Sequence, residues 1–114
     1  MINQRKTKDL TNEELQAYFD EHVLYEIQHL LNTAGGILLK LSVPNGLQFV
    51  VVEAFAIHLR NLACFFYPYK PQDTDVCAKD FFVNEEAWGK ICPAQSDPLK
   101  QARVRANKEV GHLT

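Results

Sequence analysis

The chain has 114 residues, of which 46% are hydrophobic and 23% charged, and its formal net charge is −2. That length suits one domain with one core, and the composition is that of an ordinary globular protein, which excludes wholesale disorder. A near-neutral chain does not coat nucleic acid with its whole surface, although a local basic site remains open.

Gly and Pro are sparse, which favours helices over a turn-rich sandwich. Residues 1–10 are polar and basic, lack the apolar run of a signal peptide, and read as a flexible arm. Thr11-Asn12-Glu13-Glu14 then forms a capping-box pattern, with Thr11 as N-cap and Glu14 reaching back. Leu15, Phe19, Val23, Ile27, Leu30, Leu31 and Ala34 follow at spacings of three and four, which predicts one buried helical stripe. Gly35-Gly36 is expected to weaken or end this first helix. Residues 37–43 read either as a further helical turn or as an extended connection, and Pro44-Asn45-Gly46 as a turn.

The second predicted helix covers 47–66 and is apolar almost all round, so it is expected at the bundle's centre. Glu53, His58, Arg60 and Asn61 interrupt it, which reads as a buried core helix and not a membrane span. Pro68 and Pro71 stop it. A short helix is expected within 73–82, capped by Asp75, and another turn at 84–90 around Trp88. Residues 91–96 read as loop. Asp97 as N-cap and Pro98 at the first helical position announce the last helix. Its stripe is Leu99, Ala102, Ala106, Val110 and Leu113, and it meets Thr114 without a C-cap, as it would if the natural domain continued. The expected fold is all-α. It is a small up-and-down helical bundle, one domain over 1–114, with three main helices and one or two short ones.

Three constellations carry candidate chemistry. Arg105 and His112 lie seven apart, two turns along one helical face, with Asn107, Lys108 and Glu109 between them. An Arg can neutralise a phosphodiester and a His can move a proton near neutral pH, so attack by an RNA 2′-hydroxyl needs no metal. The plainer reading is a solvated basic face with pairs such as Arg105 with Glu109. On the second helix, Glu53, Arg60 and Asn61 share a face, with His58 one turn from Asn61. These form either a polar network that fixes the bundle's register or a wall facing Arg105 and His112. On the first helix, His22, Glu26 and His29 share a stripe. With His58 they outline a small-molecule or metal-binding bundle, against which stands an ordinary solvated stripe.

Cys64, Cys77 and Cys92 are odd in number and form no CxxC pair, so free thiols in a reducing cytoplasm are expected, and no structural zinc. No metal or cofactor is expected elsewhere. Phe65, Phe66, Tyr67 and Tyr69 with Lys70 suit base stacking in composition, but Phe65 and Phe66 end a core helix, which favours packing. Phe81, Phe82 and Trp88 are expected to cap the bundle's open end.

The spacing from Arg105 to His112 resembles the signature of the HEPN family (higher eukaryotes and prokaryotes nucleotide-binding), an Arg, four to six residues, then a His on a late helix. The stretch Arg105-Ala106-Asn107-Lys108-Glu109-Val110-Gly111-His112-Leu113-Thr114 resembles the endings of small helical bacterial proteins of that sort. Glu53 to Leu62 looks like the long partner helix of the same bundle. The family prefers a polar residue directly after the Arg, where this chain has Ala106, and more helix after the His. The resemblance implies a homodimer acting as an interaction module, with an antitoxin-type protein partner in toxin–antitoxin or phage-defence systems. It also implies, as the alternative, a metal-independent endoribonuclease that cuts RNA with Arg105 and His112, supported by Asn107, Lys108, Glu109, His58, Asn61 and Glu53.

Overall fold

The computed structural model describes residues 6–38 and 47–111 of the chain. Regular structure among them is helical throughout: α1 Asn12–Tyr18, α2 Leu24–Leu38, α3 Leu47–Phe66, α4 Glu85–Ile91 and α5 Asp97–Gly111, with short 3-10 turns at Thr7–Asp9 and Ala78–Phe81. The protein is an all-α small helical bundle, as its sequence predicts.

Thr11 caps α1 in the expected way. Its hydroxyl accepts from Glu14 N–H and its own N–H donates to Glu14 Oε1, each at 3.1 Å. The helix does not run evenly from there. Phe19–Val23 forms one wide π turn between α1 and α2, in which Leu24 N–H donates to the Phe19 carbonyl five residues back. Such a turn changes the angular step between residues, so a stripe counted in threes and fours drifts across it.

Gly35 and Gly36, expected to weaken or end the helix, do not end it, since α2 continues to Leu38. Each glycine costs a helix interior about 1 kcal/mol against alanine. Packing on α3 offsets that: a Cβ on Gly36 would stand 3.8 Å from Val51 Cγ1, so the two helices are in van der Waals contact there. Residues 39–43 and the turn expected at Pro44-Asn45-Gly46 lie outside the described residues. Gly36 meets Val51, His29 meets His58, and Glu26 meets Asn61. The partners run in opposite order, so α2 and α3 are an antiparallel pair. Helix α5 packs on α3 as well.

The buried core includes Val23, Ala56, Leu62, Ala63, Cys77, Ala78 and Ala106. Leu31, expected inside, is 65% exposed. It follows Leu30 by about 100° of helical turn, and Leu30 takes the inner place. The larger departure is α3. It packs on α2 and α5, yet only 22% of the Phe49–Phe66 window is buried. The expectation of a wholly buried core helix is therefore corrected: one side of α3 faces outward.

At its C-terminal end α3 enters an aromatic chain. Phe65 contacts Phe66 and Phe81, Phe81 contacts Phe19, and Trp88 bridges Phe66 and Phe82, with centroids 5.1–6.1 Å apart. Phe81, Phe82 and Trp88 thus cap the bundle's end as expected. Two cap assignments move. The 3-10 turn opens at Cys77, whose N–H donates to Asp80 Oδ2 at 2.7 Å, while Asp75 Oδ2 accepts from Gln72 N–H instead. Helix α5 is capped by Ser96, whose Oγ accepts from Leu99 N–H at 3.2 Å, one residue before the expected Asp97. Lys6–Leu10, expected within a loose arm, is tied down through Thr7, which bonds to the carbonyls of Asp73 (2.8 Å) and Asp75 (2.7 Å).

Candidate functional site

The expected polar constellations combine differently from their sequence grouping. Glu26 leaves the His22, Glu26, His29 stripe and reaches across to α3. Its Oε2 lies 2.6 Å from His58 Nδ1 and its Oε1 accepts from Asn61 Nδ2 at 2.9 Å. His58 and Asn61 are one turn apart, so one carboxylate spans both. An ionised carboxylate only accepts, so this contact places a proton on Nδ1 of His58. His29 stacks on the His58 ring with centroids 5.2 Å apart, and Tyr25 lies 4.1 Å from His29. His22 takes no part: it sits beside Tyr18, with ring centroids 4.8 Å apart. His22 and Glu26 both border one cleft, but only Glu26 reaches α3. Among the described residues no group of three or more His, Cys, Asp or Glu side chains is placed to hold a metal ion.

The other two members of the α3 constellation stay outside this network. Glu53 and Arg60 make no hydrogen bond or ion pair among the described residues. They lie on the outer side of α3 with Val50 and Ile57, at alternating steps of three and four, and Cys64 ends the row at the rim of a cleft. Phe49 adjoins them. Exposure is 72% at Phe49, 55% at Val50 and 36% at Ile57. This apolar strip with two unlike charges is the most conspicuous surface of the described molecule.

Glu26 and Asn61 also line an open cleft of ≈ 830 Å³, with Tyr18, His22, Cys64 and Asp75 in its wall. Burial pushes the Tyr18 phenol above its ordinary range, helped by the charges near it. The Cys77 thiol, also in the wall, is pushed up from 9.0 to about 11, first by burial and then by Asp80 and Asp75. Both shifts lead away from neutrality, whereas general acids, bases and nucleophiles are tuned toward it. With its two oxygens bound to His58 and Asn61 of α3, Glu26 clamps α2 to α3.

The Cys77 shift has a testable consequence. At pH 8 a thiol reagent should modify exposed Cys64 first and leave Cys77 intact until the protein unfolds. The unfolded thiol loses its proton at a lower pH than the folded one. The folded state therefore binds more protons between about 9 and about 11, and this contribution to stability is lost as pH rises through that window. Equal labelling rates for Cys64 and Cys77 in the folded protein would contradict the burial argument.

On α5, Arg105, Asn107 and Lys108 are exposed. Glu109 is placed by its backbone in the helix, and His112 lies outside the described residues. Of the two readings open for the α3 constellation, the network has its counterpart in His58 and Asn61, which both bond to Glu26. The residue that sequence reasoning passed over is Arg103. It is 5% exposed and donates from one guanidinium nitrogen to the Tyr67 carbonyl (2.9 Å) and to Gln95 Oε1 (2.8 Å). Its guanidinium carbon stands 4.3 Å over the Tyr69 ring. Two helical residues subtend about 200°, so burying Arg103 turns Arg105 outward.

The chain matches no family model, no curated protein and no solved structure.

Proposed function

We propose that this chain is a dimerising, non-catalytic helical interaction module of HEPN-like kind, working in the reducing cytoplasm. The observation that carries the reading is the outer side of α3, where Phe49, Val50 and Ile57 stand exposed along one strip. Apolar side chains gathered on one helical face favour burial against a partner, whereas scattered ones need no explanation. Phe49–Phe66 is long and apolar enough to cross a membrane by length and composition. Glu53 and Arg60 on its outer side, with α2 and α5 packed against it, favour a protein partner over lipid.

Two measurements on the full chain test this. Phe49→Ser should leave the helical content intact and abolish self-association in sedimentation velocity. RNA incubated with the protein in EDTA should stay whole. RNA cleavage that disappears in both Arg105→Ala and His112→Ala, at equal folded fraction, would replace this reading with the metal-independent ribonuclease.

A further inference from the structure

The strip on α3 carries more than apolar exposure. Val50, Glu53, Ile57, Arg60 and Cys64 follow one another at three, four, three and four residues, the spacing of a helix seam made to meet another helix. Glu53 and Arg60 sit four before and three after Ile57. They are about 10 Å apart along the axis, too far to pair directly within one helix. Neither has a partner among the described residues. Two unlike charges thus flank an apolar centre, each without a counter-ion.

One arrangement supplies both counter-ions at once. When a second copy of α3 crosses antiparallel with the twofold axis at Ile57, Glu53 of each copy lies against Arg60 of the other. Ile57 meets Ile57, and Val50 lies opposite Cys64. A parallel crossing in register instead sets Glu53 against Glu53 and Arg60 against Arg60, which the charges oppose. The pattern is therefore complementary to itself in only one of these two orientations, as an isologous interface requires. From this juxtaposition we infer that the occupant of the α3 face is a second copy of this chain, paired antiparallel about Ile57 through reciprocal Glu53–Arg60 contacts. The inference rests on the interaction-module reading and names its partner.

The strip from Phe49 to Cys64 is about 22 Å long at 1.5 Å per residue. One helix pair of that length falls on the small side for a stable dimer, so dissociation in the range of micromolar concentrations is expected.

The test is a charge-swap cycle read by sedimentation equilibrium on the full chain. Glu53→Arg and Arg60→Glu alone should each raise the dissociation constant by on the order of tenfold, because each sets like charges together twice. The double variant Glu53→Arg/Arg60→Glu should restore it. Independently, Val50→Cys in a Cys92→Ser background should form a disulfide-linked dimer on mild oxidation, and this dimer should vanish when Cys64→Ser is added. The wild type should not crosslink through Cys64, since its two copies lie at opposite ends of the seam.

A dimer indifferent to both single reversals and not crosslinked by Val50→Cys would overturn the α3 pairing while leaving the interaction reading in place. A chain that stays monomeric at all concentrations would overturn both. Partition of the wild type into phosphatidylcholine vesicles in place of dimerisation would also overturn the pairing, and would assign the strip to lipid.

Discussion

Replacing Arg103 with Met is expected to cost the protein about 3–4 kcal/mol of unfolding free energy, a large part of the ~5–15 kcal/mol available to a domain of this kind. The side chain is nearly out of solvent, and its charge is met by two hydrogen-bond acceptors and one aromatic face. The Tyr67 carbonyl and Gln95 accept from it and the Tyr69 ring lies beneath it. Hydrogen bonds to a charged group contribute about 1.5–3 kcal/mol each, and a desolvated cation–π contact up to about 2. Methionine keeps most of the apolar stem, so the loss reports the polar contacts and the acceptors left without a donor. Arg103→Lys keeps the charge without the planar fork and should lose roughly half as much. Arg105→Met, on the exposed side of the same helix, should change stability by less than about 0.5 kcal/mol. Urea unfolding followed by circular dichroism at constant slope measures all three. Equal effects at Arg103 and Arg105 would refute the division of α5 into an anchoring and an outward face.

The contrast between these two arginines shows what the sequence made legible and what it hid. Helix α3 was readable to the residue, because its apolar run begins after Pro44-Asn45-Gly46 and ends against Pro68. Thr11 and Glu14 were readable because a capping box is local. Arg103 was not readable. Periodicity assigns a charged residue to the surface, and what overrides that here is a carbonyl 36 residues away. The same holds for Glu26, whose partners on α3 are 32 and 35 positions distant. Residue type marked Glu26, His29, His58 and Asn61 as notable, but only the antiparallel pairing of α2 and α3 brings them together. Gly35-Gly36 failed in the opposite direction: a local breaker signal lost to helix–helix contact at Val51. The outward side of α3 was hidden in a further way. A helix apolar on nearly all sides reads as buried, and composition does not say whether its last neighbour belongs to the same chain.

Glu26 offers the second large effect and a check on that argument. Glu26→Ala should destabilise the protein by about 2–3 kcal/mol, because it strips His58 Nδ1 and Asn61 Nδ2 of their acceptor in a half-buried place. Glu26→Gln offers one acceptor oxygen where two donors converge, so it should recover only part of the loss. The decisive quantity is the coupling in a double-mutant cycle with His58→Ala. If the clamp is one network, the two single losses should exceed the double loss by about 1–2 kcal/mol, whereas residues that merely lie near one another should add. The clamp also fixes the rotation of α3. With Asn61 held toward α2, Val50, Ile57 and Arg60 are left pointing out. Loosening the clamp should therefore weaken self-association only as far as it unfolds α3, whereas Phe49→Ser should weaken association with the fold intact. Glu26→Ala that abolished dimerisation at full helical content would instead place Glu26 in the interface and move the contact surface from the outer side of α3 to the cleft.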